Sequence, residues 1–448
     1  MNTRELILDM LIEIDKGNAY SNVLIRNVLD KYDYLPVQEK AFIKRVTEGT
    51  IERRIQMDYI LNYYSKTPVN KMKPLIRNLL RMSAYQLLFM DAVPDSAVCN
   101  EAVKLAEKRK FNTLRGFVNG VLRTIARQKE NIIYPDRKES PKEYFSVYYS
   151  MPEYIIAIWI GMYGENKTEE ILKEMMEIRP VTVRIKETLK AEEKADLLRK
   201  IDEAGIICQA HPYLPYAYEL SHVEGVKNLP GFEEGKLTIQ DVSSMFCVEA
   251  AGIKEGDFII DVCAAPGGKT THAAIKLNGT GKVLSRDLSE EKTALILENK
   301  NRQKLNNIEI EVHNATEFDK ELVGKADVVF ADLPCSGLGI LGKKRDIKYN
   351  ITETMLEELP ILQKWILDNV WQYVKPGGIL IYSTCTIHSN ENEKIADWFA
   401  ASYPFHKEDI SESLPENIRD LAKEKYLQLL PGTHNTDGFF IAKFRRQE

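Results

Sequence analysis

Two cysteines carry the first chemical signal. Cys335 stands in Ala331-Asp332-Leu333-Pro334-Cys335-Ser336-Gly337 and Cys385 in Tyr382-Ser383-Thr384-Cys385-Thr386, each directly after an apolar run that reads as a buried strand. Neighbouring parallel strands end on one sheet edge, so both thiols are expected there, beside Asp332. A lone cysteine is more often a small core hydrophobe than a nucleophile, but two at neighbouring strand ends reverse that balance. Carbon 5 of a pyrimidine is not nucleophilic until a thiolate adds at carbon 6, so a thiol pair with an adjacent acid suits methylation at that carbon. Asp332 is expected near ring N3, either as a protonated acid with its pKa raised by burial or as an acceptor that holds the ring. Lys269 is placed to anchor Asp332 or a phosphate.

A second constellation precedes the first. The apolar run FIIDVC leads into Ala264-Ala265-Pro266-Gly267-Gly268-Lys269-Thr270, a glycine turn expected to enter a helix near Thr271. Such a turn lets backbone N–H groups face a ligand closely. Gly268-Lys269-Thr270 ends like a Walker A loop, but that motif requires glycine at 263, where Cys263 stands, and the G-x-G-x-x-G order of a dinucleotide fold is also missing. The next run, KVLSRD, ends in Asp287, twenty residues after Gly267. An acidic side chain there can accept hydrogen bonds from a ribose diol, while Ser289 caps the following helix. A diol acceptor without a phosphate cradle fits a nucleoside such as S-adenosylmethionine better than ATP.

These residues need a scaffold, and 448 residues with 44% hydrophobic and 28% charged side chains suffice for about three globular domains. Residues 1–130 show apolar positions at three- and four-residue spacing and almost no strand signal, so they predict an all-helical domain. A polar linker is expected over 131–144. Residues 145–236 read as a small α+β middle domain, with helices around Tyr154–Tyr163 and Thr168–Ile178, a strand at Val181–Ile185 and a helix near 191–204. From 237 to 448, short Val/Ile/Phe-rich runs alternate with helical segments, which predicts an α/β Rossmann-like domain with a parallel sheet.

Charge divides along the same line. Residues 1–130 hold 22 Lys+Arg against 15 Asp+Glu, a net of +7, which leaves −12 on the remainder. That asymmetry fits a polyanion-facing front module or, equally, a solvated helical surface. No apolar run is long enough for a membrane span and the first segment lacks a basic start, so a cytoplasmic protein is expected. Six cysteines without a C-x-x-C pair argue against a zinc site and a disulfide framework.

The motifs resemble those of the RNA cytosine-5 methyltransferase family over nearly the whole chain. DVCAAPGGKTTH at 261–272, ADLPCSGLG at 331–339 and YSTCTI at 382–387 are similar to its cofactor and two cysteine motifs. The resemblance implies Cys385 as nucleophile, Cys335 in product release, and S-adenosylmethionine contacts from Cys263, Ala264, Ala265, Pro266, Gly267, Gly268, Lys269, Asp287 and Asp332. Segments 240–245, 391–393 and 437–440 also look like family segments and are expected to be scaffolding around the pocket. The front domain is similar to the RNA-binding antitermination factor NusB, in 19–22, Gly49-Thr50, 85–88, 100–103 and 116–123. Within the family this pairing implies 16S rRNA as partner, naked or in an assembling small subunit, with Arg53, Arg54 and Arg123 as phosphate contacts; from the sequence itself no metal and a monomer are expected.

Three positions depart from the family pattern. Asn314 stands where an Asp usually meets the adenine amino group, and is expected to accept through its amide oxygen. Gly342-Lys343-Lys344-Arg345-Asp346-Ile347-Lys348 changes an Arg and a Pro, with RNA positioning as the place for an effect. Lys186 replaces an Asn after Arg184-Ile185. Competing readings are cytosine-C5 methylation of tRNA or another rRNA site, a non-catalytic RNA-binding or antitermination factor, and, less favoured, DNA cytosine methylation.

Overall fold

The computed structural model describes residues 2–17, 21–223, 225–422 and 425–448. The chain forms two compact units: residues 1–176 with 341–350, and residues 177–340 with 351–448. Ala19 and Tyr20, two positions of the NusB resemblance, lie outside the described residues.

The first unit is helical. Helices Thr3–Asp15, Ser21–Lys31, Val37–Glu52, Arg54–Tyr64, Pro74–Phe89, Asp95–Lys108 and Arg115–Gln128 bury the faces that their spacing marks as apolar. Ile7, Leu8, Ile43, Val46, Leu61, Leu79, Leu80, Val118 and Leu122 meet in one core. The ends follow local chemistry: the Asn2 side chain accepts the Arg4 and Glu5 N–H groups, and Pro74 sits in the first turn of its helix. Helices Pro141–Tyr148 and Glu153–Met176 also belong here. The middle domain therefore does not begin at 145 as the sequence pattern suggested, because Phe145, Ile155, Trp159 and Ile171 are apolar helical positions that serve this unit. The two expected helices of 154–178 are present within Glu153–Met176, separated by a kink at Gly164, where φ is +77°.

The second unit holds two sheets. Strands β1 (Val181–Ile185), β2 (Ile207–Ala210), β3 (Ala217–Ser221) and β4 (Leu237–Ile239) form a small antiparallel sheet in the order β2-β3-β1-β4. β4 pairs with β1, so a boundary at 236/237 would cut this sheet. The large sheet contains β5 (Phe258–Asp261), β6 (Lys282–Asp287), β7 (Ile308–Val312), β8 (Ala326–Asp332), β9 (Val374–Thr384), β10 (Phe405–Glu408), β11 (Tyr426–Leu429) and β12 (Phe439–Arg446). Its order is β10-β12-β9-β8-β5-β6-β7, with β11 on β12. β9 through β7 are mutually parallel, and β12 joins β9 antiparallel, so the sheet is mixed. Helices cover both faces, and the carboxyl ends of β5, β6, β8 and β9 share one edge.

Candidate active site

Four strand ends assemble the site. After β5 the chain turns through residues 262–267 into helix Gly268–Lys276, three residues earlier than the expected start. Gly267 makes the turn with φ +99°, a backbone conformation that favours glycine, and a Cβ there would make a tight contact with Ile296 at 3.3 Å. The Ala264 N–H donates to the Arg286 carbonyl at 2.9 Å, which ties the loop to β6. Behind the loop, Arg184 is buried on β1, donating to the Gln240 amide oxygen at 2.7 Å and the Thr271 hydroxyl at 3.3 Å. Burial lowers its pKa to about 10 against the raising effect of Glu187. This buttress was not singled out from the sequence, where a lone arginine among β-branched residues was the available sign. Lys186, two residues on, donates to the Gln303 carbonyl at 3.1 Å at the end of helix Glu290–Arg302.

The two carboxylates are built differently. Asp287, at the end of β6, is buried; it accepts the Ala265 N–H at 2.9 Å and the Leu288 N–H at 2.7 Å, with the Lys292 ammonium at 2.9 Å. With about four lone-pair positions on a carboxylate, a ribose hydroxyl would share this group with backbone and Lys292. Ser289 caps its helix, accepting from the Lys292 N–H at 3.4 Å. Asp332, at the end of β8, accepts the Lys269 ammonium at 2.6 Å on one oxygen and the Ser383 hydroxyl at 2.8 Å on the other. Both Asp332 oxygens thus accept hydrogen bonds from the protein's own groups. Lys269 is itself buried; burial disfavours its charge, but Asp332 and its hydrogen bond more than compensate and hold the pKa above the ordinary lysine value. Lys269 thus serves Asp332.

Asn314 follows β7, and its amide oxygen is taken by the Thr316 N–H at 3.1 Å and hydroxyl at 2.8 Å. This local Asx-type turn engages the oxygen expected to accept and leaves the NH2 group, a donor, as the available end. Cys263 lies in the loop with its thiol pKa pushed up by burial and by Asp287.

The thiols meet where the strands predicted. β8 and β9 pair in register, Asp332 opposite Ser383, and the chains continuing beyond them bring the Cys335 and Cys385 sulfurs to 3.3 Å. The hydrogen bond to Cys385 and then burial push the Cys335 pKa well above the ordinary thiol value. At this separation either sulfur can donate to the other. Three further links join the loops: Ser336 Oγ to Thr386 Oγ1 at 2.8 Å, the Gly339 N–H to the Cys385 carbonyl at 3.0 Å, and the Gly438 N–H to the Gly339 carbonyl at 2.9 Å.

The expected RNA contacts divide. Arg53 lies over the Phe89 ring at 4.0 Å and donates to Gln56 at 2.9 Å, while Arg54 lies over the Tyr349 ring at 3.7 Å. Both are committed inside the helical unit, where burial lowers their pKa values. Arg123 is exposed and bonded to Asn119 within its own helix. The departing segment 342–348 is also structural. Arg345 pairs with Glu52 at 2.8 Å and Glu48 at 2.7 Å, the Asp346 carboxylate accepts the Ser21 N–H at 2.7 Å, and buried Lys348 donates to the Glu52 carbonyl at 2.7 Å. Elsewhere, Glu187, Glu249 and His272 bring ligand-type atoms within 4.8 Å of one another. The Lys276 ammonium holds that position, 2.9 Å from Glu187 and 2.7 Å from Glu249.

The donor set tests the fit of a cofactor. The strand ends carry three carboxylates, of which Asp287 and Asp332 are each paired to a lysine and Asp261 bonds to Thr270. Acceptors beside a glycine turn suit a ribose and a cationic sulfonium, and give no cradle for a polyphosphate. Comparisons agree. A family profile described as "16S rRNA methyltransferase RsmB/F" matches residues 250–445, and a NusB family profile matches residues 1–127. A probable ribosomal RNA small subunit methyltransferase B from Bacillus subtilis is 33% identical, covering 100% of this chain and 99% of its own. The crystal structure of PH0851 has a TM-score of 0.82 at 21% identity, covering 100% of this chain and 99% of its own. That of NSun6 from Pyrococcus horikoshii with SFG has a TM-score of 0.57 at 21% identity, covering 66% and 98%. The family matches thus define an S-adenosylmethionine-dependent methyltransferase carrying a NusB-type helical domain. The chain belongs to the ribosomal RNA small subunit methyltransferase B family. Among the described residues, no helix is long and apolar enough to cross a membrane.

Proposed function

We propose that this enzyme methylates carbon 5 of a cytosine in 16S rRNA, as a cytoplasmic monomer, through a covalent bond from Cys385 to carbon 6 of the base. The observation that carries the reading is the pair of thiols 3.3 Å apart, next to the Lys269–Asp332–Ser383 chain at the ends of β8 and β9. S-adenosylmethionine supplies an electrophilic methyl group when bound. Loop 263–268, Asp287 and Asn314 hold it, with Asp332 between the cofactor side and the thiols. The Cys385 sulfur, as thiolate, forms the bond to carbon 6, and the displaced π electrons make carbon 5 nucleophilic. Asp332, kept in place by Lys269 and Ser383, accepts a hydrogen bond from the base and fixes the ring over the sulfur. After methylation a base takes the carbon 5 proton, that bonding pair rebuilds the C5=C6 bond, and the Cys385 sulfur leaves with its pair. The Cys335 S–H, aimed at that sulfur, stabilises it as it leaves. Methyl transfer from labelled S-adenosylmethionine to unmodified 16S rRNA, with the product base mapped, tests the reading. Cys385→Ala is expected to abolish transfer and any RNA–protein adduct, and Cys335→Ala to accumulate an adduct that survives denaturation. Full turnover by Cys385→Ala would sink it, and transfer only to tRNA would move the substrate assignment.

A further inference from the structure

Glu391 is a fully buried carboxylate that bonds to no lysine or arginine among the described residues. A charge in that position is costly unless several donors converge on it. They do: the Ser336 N–H at 2.8 Å, the Ser336 hydroxyl at 2.5 Å and the Gln363 amide at 3.1 Å all donate to it, with His388 Nδ1 3.4 Å away. Gln363, also buried, donates as well to the Pro334 carbonyl at 3.0 Å, so both residues flanking Cys335 are held. The next residue grips the other loop. Asn392, buried, accepts the Thr384 hydroxyl at 2.6 Å and donates to the Thr386 carbonyl at 3.0 Å, the two residues that bracket Cys385. Its amide also donates to Gln428 at 2.7 Å, which anchors it to β11.

We propose that Glu391 and Asn392 form a two-sided clamp, Glu391 positioning Cys335 and Asn392 positioning Cys385, so that adjacent residues set the spacing between the thiols. The proposal rests on the reading that Cys385 attacks and Cys335 acts in release. Neither clamp residue touches the base; both are positioning residues. The residue types follow from the chemistry. The Ser336 N–H and the Gln363 NH2 can only donate to the carboxylate, and a glutamine at 391 would turn its own NH2 group toward one of them or toward the Ser336 hydroxyl, which would have to reverse and give up its charge-assisted bond. The Cys385 loop presents a hydroxyl and a carbonyl, which an amide satisfies with one acceptor and one donor.

Because the two side chains grip different loops, their removal is expected to fail at different steps, which a general loss of structure would not reproduce. The full chain is assayed with unmodified rRNA for adduct formation, product release and S-adenosylmethionine affinity. In Glu391→Gln the adduct forms at the parent rate and accumulates as in Cys335→Ala, with release slowed about a hundredfold by a misplacement of order 1 Å. In Asn392→Ala, made in a Cys335→Ala background, adduct formation itself slows by a similar factor. Glu391→Asp, which keeps the acceptor, recovers part of the release rate. Parent-rate release by Glu391→Gln, or parent-rate adduct formation with Asn392→Ala, overturns the clamp. If Cys335→Ala alone gives no adduct, the underlying reading fails and the clamp falls with it; if it does and Glu391→Gln does not, only the clamp fails. Should Glu391→Gln lose cofactor affinity through misfolding, Ser336→Ala removes one donor from the same carboxylate without stranding a charge. It is expected to accumulate adduct to a smaller degree, and its failure to do so overturns the clamp.

Discussion

At the scale of single residues, the site separates charges by partner. Asp332 has a lysine and a hydroxyl, Asp287 has two backbone N–H groups and a lysine, and Asp261, at the end of β5, has among the described residues only the Thr270 hydroxyl at 2.7 Å on one oxygen. Its other oxygen is buried without a hydrogen bond. Burial accordingly raises the Asp261 pKa to about 7, with the Thr270 bond working in the opposite direction. The folded protein then binds a proton at Asp261 that the unfolded chain has released above about pH 4. Between about pH 4 and pH 7 the unfolded state binds fewer protons at this position, so its contribution to stability falls as pH rises. The expected slope reaches about 1.4 kcal/mol per pH unit. Asp261→Asn, which mimics the protonated acid, should flatten that part of a denaturation series. An unchanged slope would mean that Asp261 is ionised in the fold. The placement of the candidate site residues was the most legible part of the chain, since Cys335, Cys385 and Asp332 stand at or just after strand patterns. The partners of Arg53 and Arg54 were not legible, because a sequence displays a charge without showing what lies beside it.

At the scale of elements, the Cys335 loop is held by the close approach of two backbones. A Cβ at Gly339 would lie 2.0 Å from the Gly438 carbonyl oxygen and 2.9 Å from that of Cys385. Both obstacles are backbone, so the strain cannot be relieved by rotating a side chain. Gly339→Ala is expected to cost about 1–3 kcal/mol of stability, toward the upper end, as an overpacked core position does. It should also part the loops and lower methyl transfer more than the stability loss explains. Melting and initial rates measured together check this, and parent behaviour in both would show that the segments move apart freely. The parallel strands β5, β8 and β9 were readable because strands buried on both faces appear as largely continuous apolar runs, and the edge strand β7 by its alternation of isoleucine with exposed glutamate. β2 and β4 were not, being four and three residues long, and the antiparallel edge of β10 to β12 carries charged residues such as Lys407, Lys443 and Arg445 between its apolar ones. The packing of 341–350 against the helical unit was also invisible, since its partners lie some three hundred residues away in the chain.

At the scale of the whole molecule, the +7 of residues 1–130 is divided between structure and surface. Arg81 bridges Asp15 and Asp58, and Arg109 bridges Glu5 and Asp9, so part of the excess is spent inside the helical unit along with Arg53 and Arg54. Helix Arg115–Gln128 is different: it contains no acidic residue, and Arg115, Arg123 and Arg127 are exposed on it. If rRNA is held by this surface, stability and affinity must respond to different arginines. Arg54→Ala is expected to lower the stability of the helical unit by about 0.5–2 kcal/mol, the value of a partly desolvated guanidinium over a ring. Its RNA affinity should change little in conditions where the unit stays folded. Arg123→Gln is expected to leave the melting temperature within error of the parent. It should weaken RNA binding for every sequence tested and reduce the slope of log affinity against log salt by about one, as the loss of one phosphate contact does. Titrations of both variants across a salt series separate the two roles. An unchanged salt slope for Arg123→Gln would remove Arg123 from the RNA interface, and an unchanged melting curve for Arg54→Ala would show that its stacking on Tyr349 contributes nothing to the fold.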